Sequence, residues 1–278
     1  MIAAFLITLR EGLEAALIVG IVLSVLRRLG QTRRAPTVWW GVGAAVLVSI
    51  VAAVGLQALG VAFEGRGEEI FEGVAMLLAA SVLTWMIFWM RRQGRDLGRH
   101  LEADVRQATA SGTREALFVL AFVAVVREGI EAVLFLTAAS FTADARQTVL
   151  GGALGLLVAI VLGWLIFAAG KQLDLRVFFN TTSVLLLLFA AGLVAHGVHE
   201  LQEAALLPIV IGHVWDINPI LDDHSGLGSF LQALFGYNGN PSLIEVLGYG
   251  AYLAVVGRLT FLTGDDRQVG APAPPPTT

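Results

Sequence analysis

Apolar residues gather along this chain into seven stretches of about twenty, near 3–26, 38–60, 70–90, 115–140, 149–170, 180–203 and 243–263. Charged residues fall mostly between them. A helix of about 20 apolar residues crosses the roughly 30 Å hydrocarbon layer of a bilayer. The pattern therefore predicts an all-α, polytopic membrane protein with seven transmembrane helices, folded as a single membrane domain over 1–263. The 204–242 segment reads as a loop before the seventh helix. Residues 264–278, which include an Ala-Pro-Ala-Pro-Pro-Pro run, read as a disordered tail. The first residues, Met1–Leu9, lack a basic region, and Arg10, Glu11 and Glu14 interrupt the apolar run, so a retained span is expected rather than a cleaved signal peptide.

Composition agrees with this picture. Of 278 residues, 56% are hydrophobic and 14% charged, where a soluble domain carries about 25% charged residues. The absence of cysteine excludes disulfides, Cys-ligated zinc and iron–sulfur clusters. Loop charge then sets an orientation. One set of alternate loops holds Arg27, Arg28, Arg33, Arg34, Arg91, Arg92, Arg95, Arg99, Arg106, Arg114, Lys171, Arg176, Arg258 and Arg267; the opposite loops hold only Arg66 and Arg146. Basic loops stay in the cytoplasm, so the N-terminus is expected outside and the C-terminal tail inside. On this reading the basic 91–114 loop is a topology signal and not a nucleic-acid patch. Trp39 and Trp40 at the start of the second span, and Trp85, Phe88 and Trp89 at the end of the third, suit the inner interface.

The first three spans resemble the next three. Arg10-Glu-Gly-Leu-Glu-Ala15 recurs as Arg127-Glu-Gly-Ile-Glu-Ala132, and Gly41, Val48, Ile50, Val51, Ala58 and Gly60 recur at Gly151, Val158, Ile160, Val161, Ala168 and Gly170. Each half holds an odd number of spans, so the halves must insert with opposite polarity. A 3+3 inverted repeat, 1–90 and 115–203, is predicted, with the helix at 243–263 outside it. Secondary transporters built this way bind substrate at the repeat interface.

The repeated motif also carries the chemistry. Helical spacing places Glu11 with Glu14, and Glu128 with Glu131, on one face of each helix, with Arg10 and Arg127 one turn from the second carboxylate. Arg10 lies about 10 Å inside its span. Each such charge costs about 2.5–3.5 kcal/mol at the centre of a membrane helix, so the six must face inward and pair. Four carboxylates against two guanidinium groups leave an excess of negative charge. Hard cations favour carboxylate oxygens, which makes the four glutamates candidate metal ligands. The arginines, always protonated, give electrostatic support to an empty site. The structural alternative is a salt-bridge knot joining the first and fourth spans.

At these residues the chain resembles the high-affinity iron permeases: the oxidase-linked permeases of fungi and the permease subunits of bacterial iron-uptake systems. The similarity extends through FEGVAMLLAASVLTWMIFWM to the WDINPILDDHSGLGSFLQALFGY loop. It implies import of iron ions as transported substrate, with Glu11, Glu14, Glu128 and Glu131 as iron-handling residues. It also implies partner proteins at the outer face that oxidise or deliver iron. Lead is an alternative cargo.

Acidic and imidazole groups gather at the expected outer mouth. Glu68, Glu69 and Glu72 open the third span, and His196, His199, Glu200 and Glu203 form one stripe at the end of the sixth. The 204–242 loop adds Asp216, Asp222, Asp223, His213 and His224 without any Lys or Arg. Such a mouth would concentrate cations; ordinary interfacial solvation is the alternative. A haem-holding electron-transfer subunit is disfavoured, because only His196 and His199 lie within a span and both are on the same one. A scaffold would leave the duplicated charges unexplained. An organic-cation permease would want an aromatic cage, and neither motif has an adjacent Trp or Tyr in sequence.

Overall fold

The computed structural model describes residues 1–93, 97–110, 113–142, 145–167, 175–223 and 225–262, and within them every one of the apolar runs is helical. The long helices are α1 (Ile2–Arg28), α2 (Ala35–Ala62), α3 (Arg66–Gln93), α5 (Arg114–Phe141), α6 (Ala145–Phe167) and α7 (Leu175–Glu203). Between α3 and α5 lies a shorter helix, α4 (Leu97–Ala110). After α7 come α8 (Gly226–Phe235), α9 (Leu243–Tyr252) and α10 (Arg258–Leu262), with a π-helical turn at Leu253–Gly257 joining the last two.

Among the described residues, five helical segments are long and apolar enough to cross a membrane by length and composition: Thr32–Ala62, Arg66–Met90, Arg146–Phe167, Val177–Glu203 and Leu243–Thr260. Helices α1 and α5 match them in length, but each carries an Arg-Glu-x-x-Glu motif. The outward faces of α2 and α6 are apolar, with Leu47, Ile50, Val51 and Val54 exposed on one and Leu154, Leu157, Ile160 and Val161 on the other. Such continuous apolar faces exceed what a soluble monomer leaves to water. They suit lipid, and the chain is a multi-pass membrane protein.

Small residues set the packing. A Cβ on Gly12 would stand 2.7 Å from the Ala159 Cβ, and one on Gly163 2.7 Å from the Ala16 Cβ, so α1 and α6 run parallel in close contact. Gly41 abuts Phe118 and Ala121, while Gly129 abuts Ser49, so α2 and α5 are parallel too. Gly73 and Gly197 bring α3 and α7 together antiparallel. Close backbone approach at small residues is the usual way helices associate where no water drives them together. Helices α1 and α5 pack antiparallel: Ala3 and Ile7 share a core with Phe135 and Ala138, and Ile18 and Leu26 share another with Leu117 and Ala121.

Two loops hold more structure than expected. The 91–114 segment contains α4, whose Leu101, Val105 and Ala108 bury against Leu26 and Leu117 while Arg106 stays exposed and pairs with Glu102 at 2.9 Å. The 204–242 segment contains α8, capped by Ser225 and ended by Gly236 in the left-handed region. The span expected at 243–263 is helical from Leu243 to Leu262, with a π-helical turn at Leu253–Gly257. The expected tail at 264–278 lies outside the described residues, as do His224 and the side chains of Arg91, Arg92, Arg95, Lys171 and Arg176.

Candidate functional site

The two motifs meet where α1 and α5 cross. Helical rise puts Arg10 about 12 Å from the start of α1 and Glu131 about 15 Å from the end of α5. Apolar packing flanks the site along the two helices, around Ile7 and Phe135 in one direction and around Ile18, Val22 and Leu117 in the other. Arg10, Glu11, Glu14, Glu128 and Glu131 are each at most 9% exposed.

Glu11, Glu128 and Glu131 each bring a carboxylate oxygen into a cluster in which all three lie within 4.8 Å of one another. Glu14 stands beside this group rather than in it. Arg10 Nη1 donates to Glu11 Oε1 at 2.9 Å and lies 2.7 Å from the Met86 Sδ. Its Nη2 is 2.9 Å from Glu14 Oε1, a charge pairing without an aligned hydrogen bond. Arg127 Nε donates to Glu131 Oε1 at 2.9 Å. Among the described residues, Glu11 Oε2, Glu128 Oε2, Glu131 Oε2 and Glu14 Oε1 are buried and accept no hydrogen bond. A buried acceptor left unmatched costs about 1–3 kcal/mol, and more when charged. Three of the four belong to the Glu11, Glu128 and Glu131 cluster, where a cation would supply the charge and coordination these oxygens lack.

The mouth residues divide. His199 Nδ1 lies 3.0 Å from Glu245 Oε1 and its Nε2 3.3 Å from Glu203 Oε1. Glu200 feels the charges of Glu72, Glu203 and Glu69, and Glu72 that of Glu68, so these acids lie near one another where α3 begins and α7 ends. His196 departs from the stripe: its Nδ1 meets Gly192 O at 3.0 Å, and its Nε2 meets the Gln232 side chain at 3.2 Å. In the loop, Asp216 Oδ1 accepts from Asn218 N and shapes a turn, while Asp223 Oδ1 accepts from Gly239 N and ties together two distant parts of the segment.

Several residues were invisible in the motif pattern. Glu245 is 2% exposed and gathers His199, Asn238 and the Ser242 backbone into one network. The Ser242-x-x-Glu245 spacing at the start of α9 is a capping box, a signal the sequence does carry. The motif glycines, Gly12 and Gly129, make the close helix contacts. Trp85 and Trp89 correct the view that no aromatic residue adjoins the motifs: Arg127 Cζ lies 4.2 Å from the Trp89 ring centroid and 5.5 Å from that of Trp85.

A bundle of apolar helices with paired charges buried at its centre defines a multi-pass membrane protein with an internal carboxylate centre. The chain belongs to the Iron permease FTR1 family, which its residues 1–264 match. It is 38% identical over 264 residues to a protein of Yersinia pestis named ferrous iron permease EfeU, covering 94% of each chain. The protein of the same name from Escherichia coli O6:K15:H31 (strain 536 / UPEC) is 38% identical over 255 residues, covering 91% of this chain and 92% of its own. The Yersinia pseudotuberculosis serotype I (strain IP32953) protein, again so named, is 38% identical over 260 residues, 93% of this chain and 91% of its own. These relatives are named as permeases, not enzymes. No solved structure matches the chain.

Proposed function

We propose that this protein imports iron ions across the plasma membrane through one centre built from Glu11, Glu14, Glu128 and Glu131. The observation that carries the reading is the convergence of Glu11, Glu128 and Glu131 from two helices, each with a buried oxygen that no protein group satisfies. Four carboxylates and two guanidinium groups leave two negative charges when all are ionised, which a divalent cation neutralises. The relatives' name, ferrous iron permease, makes ferrous iron the first cargo to test, with lead as the competing metal. Arg10 and Arg127 hold the carboxylates together while the centre is empty.

The architecture proposed for this transport is seven spans, the first six as a 3+3 inverted repeat and the seventh added. Helix pairing supports it. Gly12 against Ala159 and Gly129 against Ser49 are the same contact seen from the two halves, and so are Gly41 against Phe118 and Gly151 against Met1. The alternate-loop arginines support a cytoplasmic 91–114 segment and tail, with 204–242 outside. On that orientation the cluster of Glu68, Glu69, Glu72, Glu200 and Glu203, with His199, stands at the outer mouth and gathers cations. His196 serves packing there. Proteins that oxidise or deliver iron would dock at the same face. With apolar packing flanking the centre on both sides, transport would proceed by each side opening in turn.

The test is uptake of radioactive ferrous iron into proteoliposomes by Glu11→Gln, Glu14→Gln, Glu128→Gln and Glu131→Gln, each checked for normal insertion. Gln keeps the size and removes the charge a hard cation needs. Each should cut uptake severely, and a double change with one in each motif should be little worse than either single. Normal uptake by all four, with lowered stability only, would make the motifs structural.

A further inference from the structure

The two motifs are alike in sequence but not in how their arginines are held. Arg10 has no exposed surface, spans Glu11 and Glu14, and touches Met86. Arg127 is 35% exposed, pairs among the described residues with Glu131 alone, and has its Cζ over Trp89, 4.2 Å from the ring centroid, in a pair of stacked tryptophans whose centroids are 6.4 Å apart. The helix α3 supplies both partners, but in one case a thioether and in the other an indole face. Glu128 is consequently the one motif carboxylate with no arginine within ion-pair distance among the described residues.

We propose that Trp89 is a positioning residue for the cation centre: its ring holds the Arg127 guanidinium to one side, keeping Glu128 Oε2 and Glu131 Oε2 open to a metal ion. The physical reason is competition. A free arginine fork beside two buried carboxylates binds both of them in bidentate fashion and occupies the oxygens a metal would take. The indole face offers the guanidinium a second attraction, directed away from the carboxylates, and so divides its pull. Arg127 then keeps its balancing charge near the centre without filling it. A Lys cannot reproduce this, because it lacks the planar group that stacks on the ring. Trp85, at 5.5 Å, supports the same stack from its exposed side.

This inference rests on the carboxylate reading, so both are measured together by equilibrium dialysis of ferrous iron, under argon, against the purified full chain in detergent. The expected result for Trp89→Leu is an apparent Kd raised roughly tenfold, about 1.4 kcal/mol, between the worth of an exposed and of a desolvated cation–π contact. Trp89→Phe, which keeps a ring face, should stay within about twofold of the original protein. The double change Trp89→Leu/Arg127→Gln should bind more tightly than Trp89→Leu alone, because the competing fork is gone. Trp89→Met serves if the Leu protein does not fold. An unchanged Kd in the ring-less variant overturns the proposal. So does a weakened Kd that Arg127→Gln fails to rescue, since a packing defect would persist in the double variant. Glu128→Gln separates the two readings: if it still binds ferrous iron as the original does, the carboxylate centre itself is wrong. If Glu128→Gln loses binding while Trp89→Leu does not, only the role of Trp89 falls.

Discussion

Replacing Arg10 with Gln removes a cation that has no exposed surface and lies 2.9 Å from both Glu11 and Glu14. Two carboxylates are then left among apolar neighbours without a counter-ion of their own. Deleting one partner of a buried ion pair costs about 3–5 kcal/mol. The pseudo-equivalent change, Arg127→Gln, removes a cation that is 35% exposed and pairs with a single carboxylate. Solvent screening and the modest worth of its ring contact bring that loss to about 1–2 kcal/mol. At about 2–4 °C per kcal/mol, Arg10→Gln should lower the unfolding midpoint by about 6–20 °C and Arg127→Gln by about 2–8 °C. Thermal unfolding in detergent, followed by intrinsic tryptophan fluorescence, makes the comparison. A triple change, Arg10→Gln with Glu11→Gln and Glu14→Gln, removes the charges along with their cation and should regain most of the loss. Equal shifts for the two arginines, or a triple variant as unstable as Arg10→Gln alone, would refute the claim that burial and double pairing distinguish the motifs.

Three further outcomes are expected. In this cysteine-free chain, a cysteine at position 226 should react with an impermeant reagent added outside intact cells and one at position 104 should not; the reverse pattern overturns the orientation. Neutralising Glu68, Glu69 and Glu72 together should raise the apparent Michaelis constant for iron more than it lowers maximal uptake, because a charged mouth raises local cation concentration; unchanged concentration dependence returns these groups to solvation. Glu245→Ala removes the carboxylate that gathers His199, Asn238 and Ser242, and should cost about 2 kcal/mol or more and speed proteolysis within 204–242; unaltered cleavage would show that the segment is held by other contacts.

The sequence by itself determined the helices and the kind of chemistry they carry. Apolar runs of span length, interrupted twice by the same Arg-Glu-x-x-Glu, demand helices with their charges turned inward, and that demand is local to each segment. It could not say which carboxylates converge. Glu14 and Glu131 are equivalent in the motif, yet Glu131 joins the three-carboxylate cluster and Glu14 stands beside it paired with Arg10. Nor could it separate the two arginines, because Met86 and Trp89 come from a third helix whose register against α1 and α5 is set by packing. His196 and His199 read as equals by spacing, but Gln232 of α8 takes one and Glu245 of α9 takes the other. The physical reason is the same throughout. Periodicity reports which face of a helix is buried, while the partner on the opposite side is chosen by where small residues such as Gly12, Gly41 and Gly129 let backbones approach.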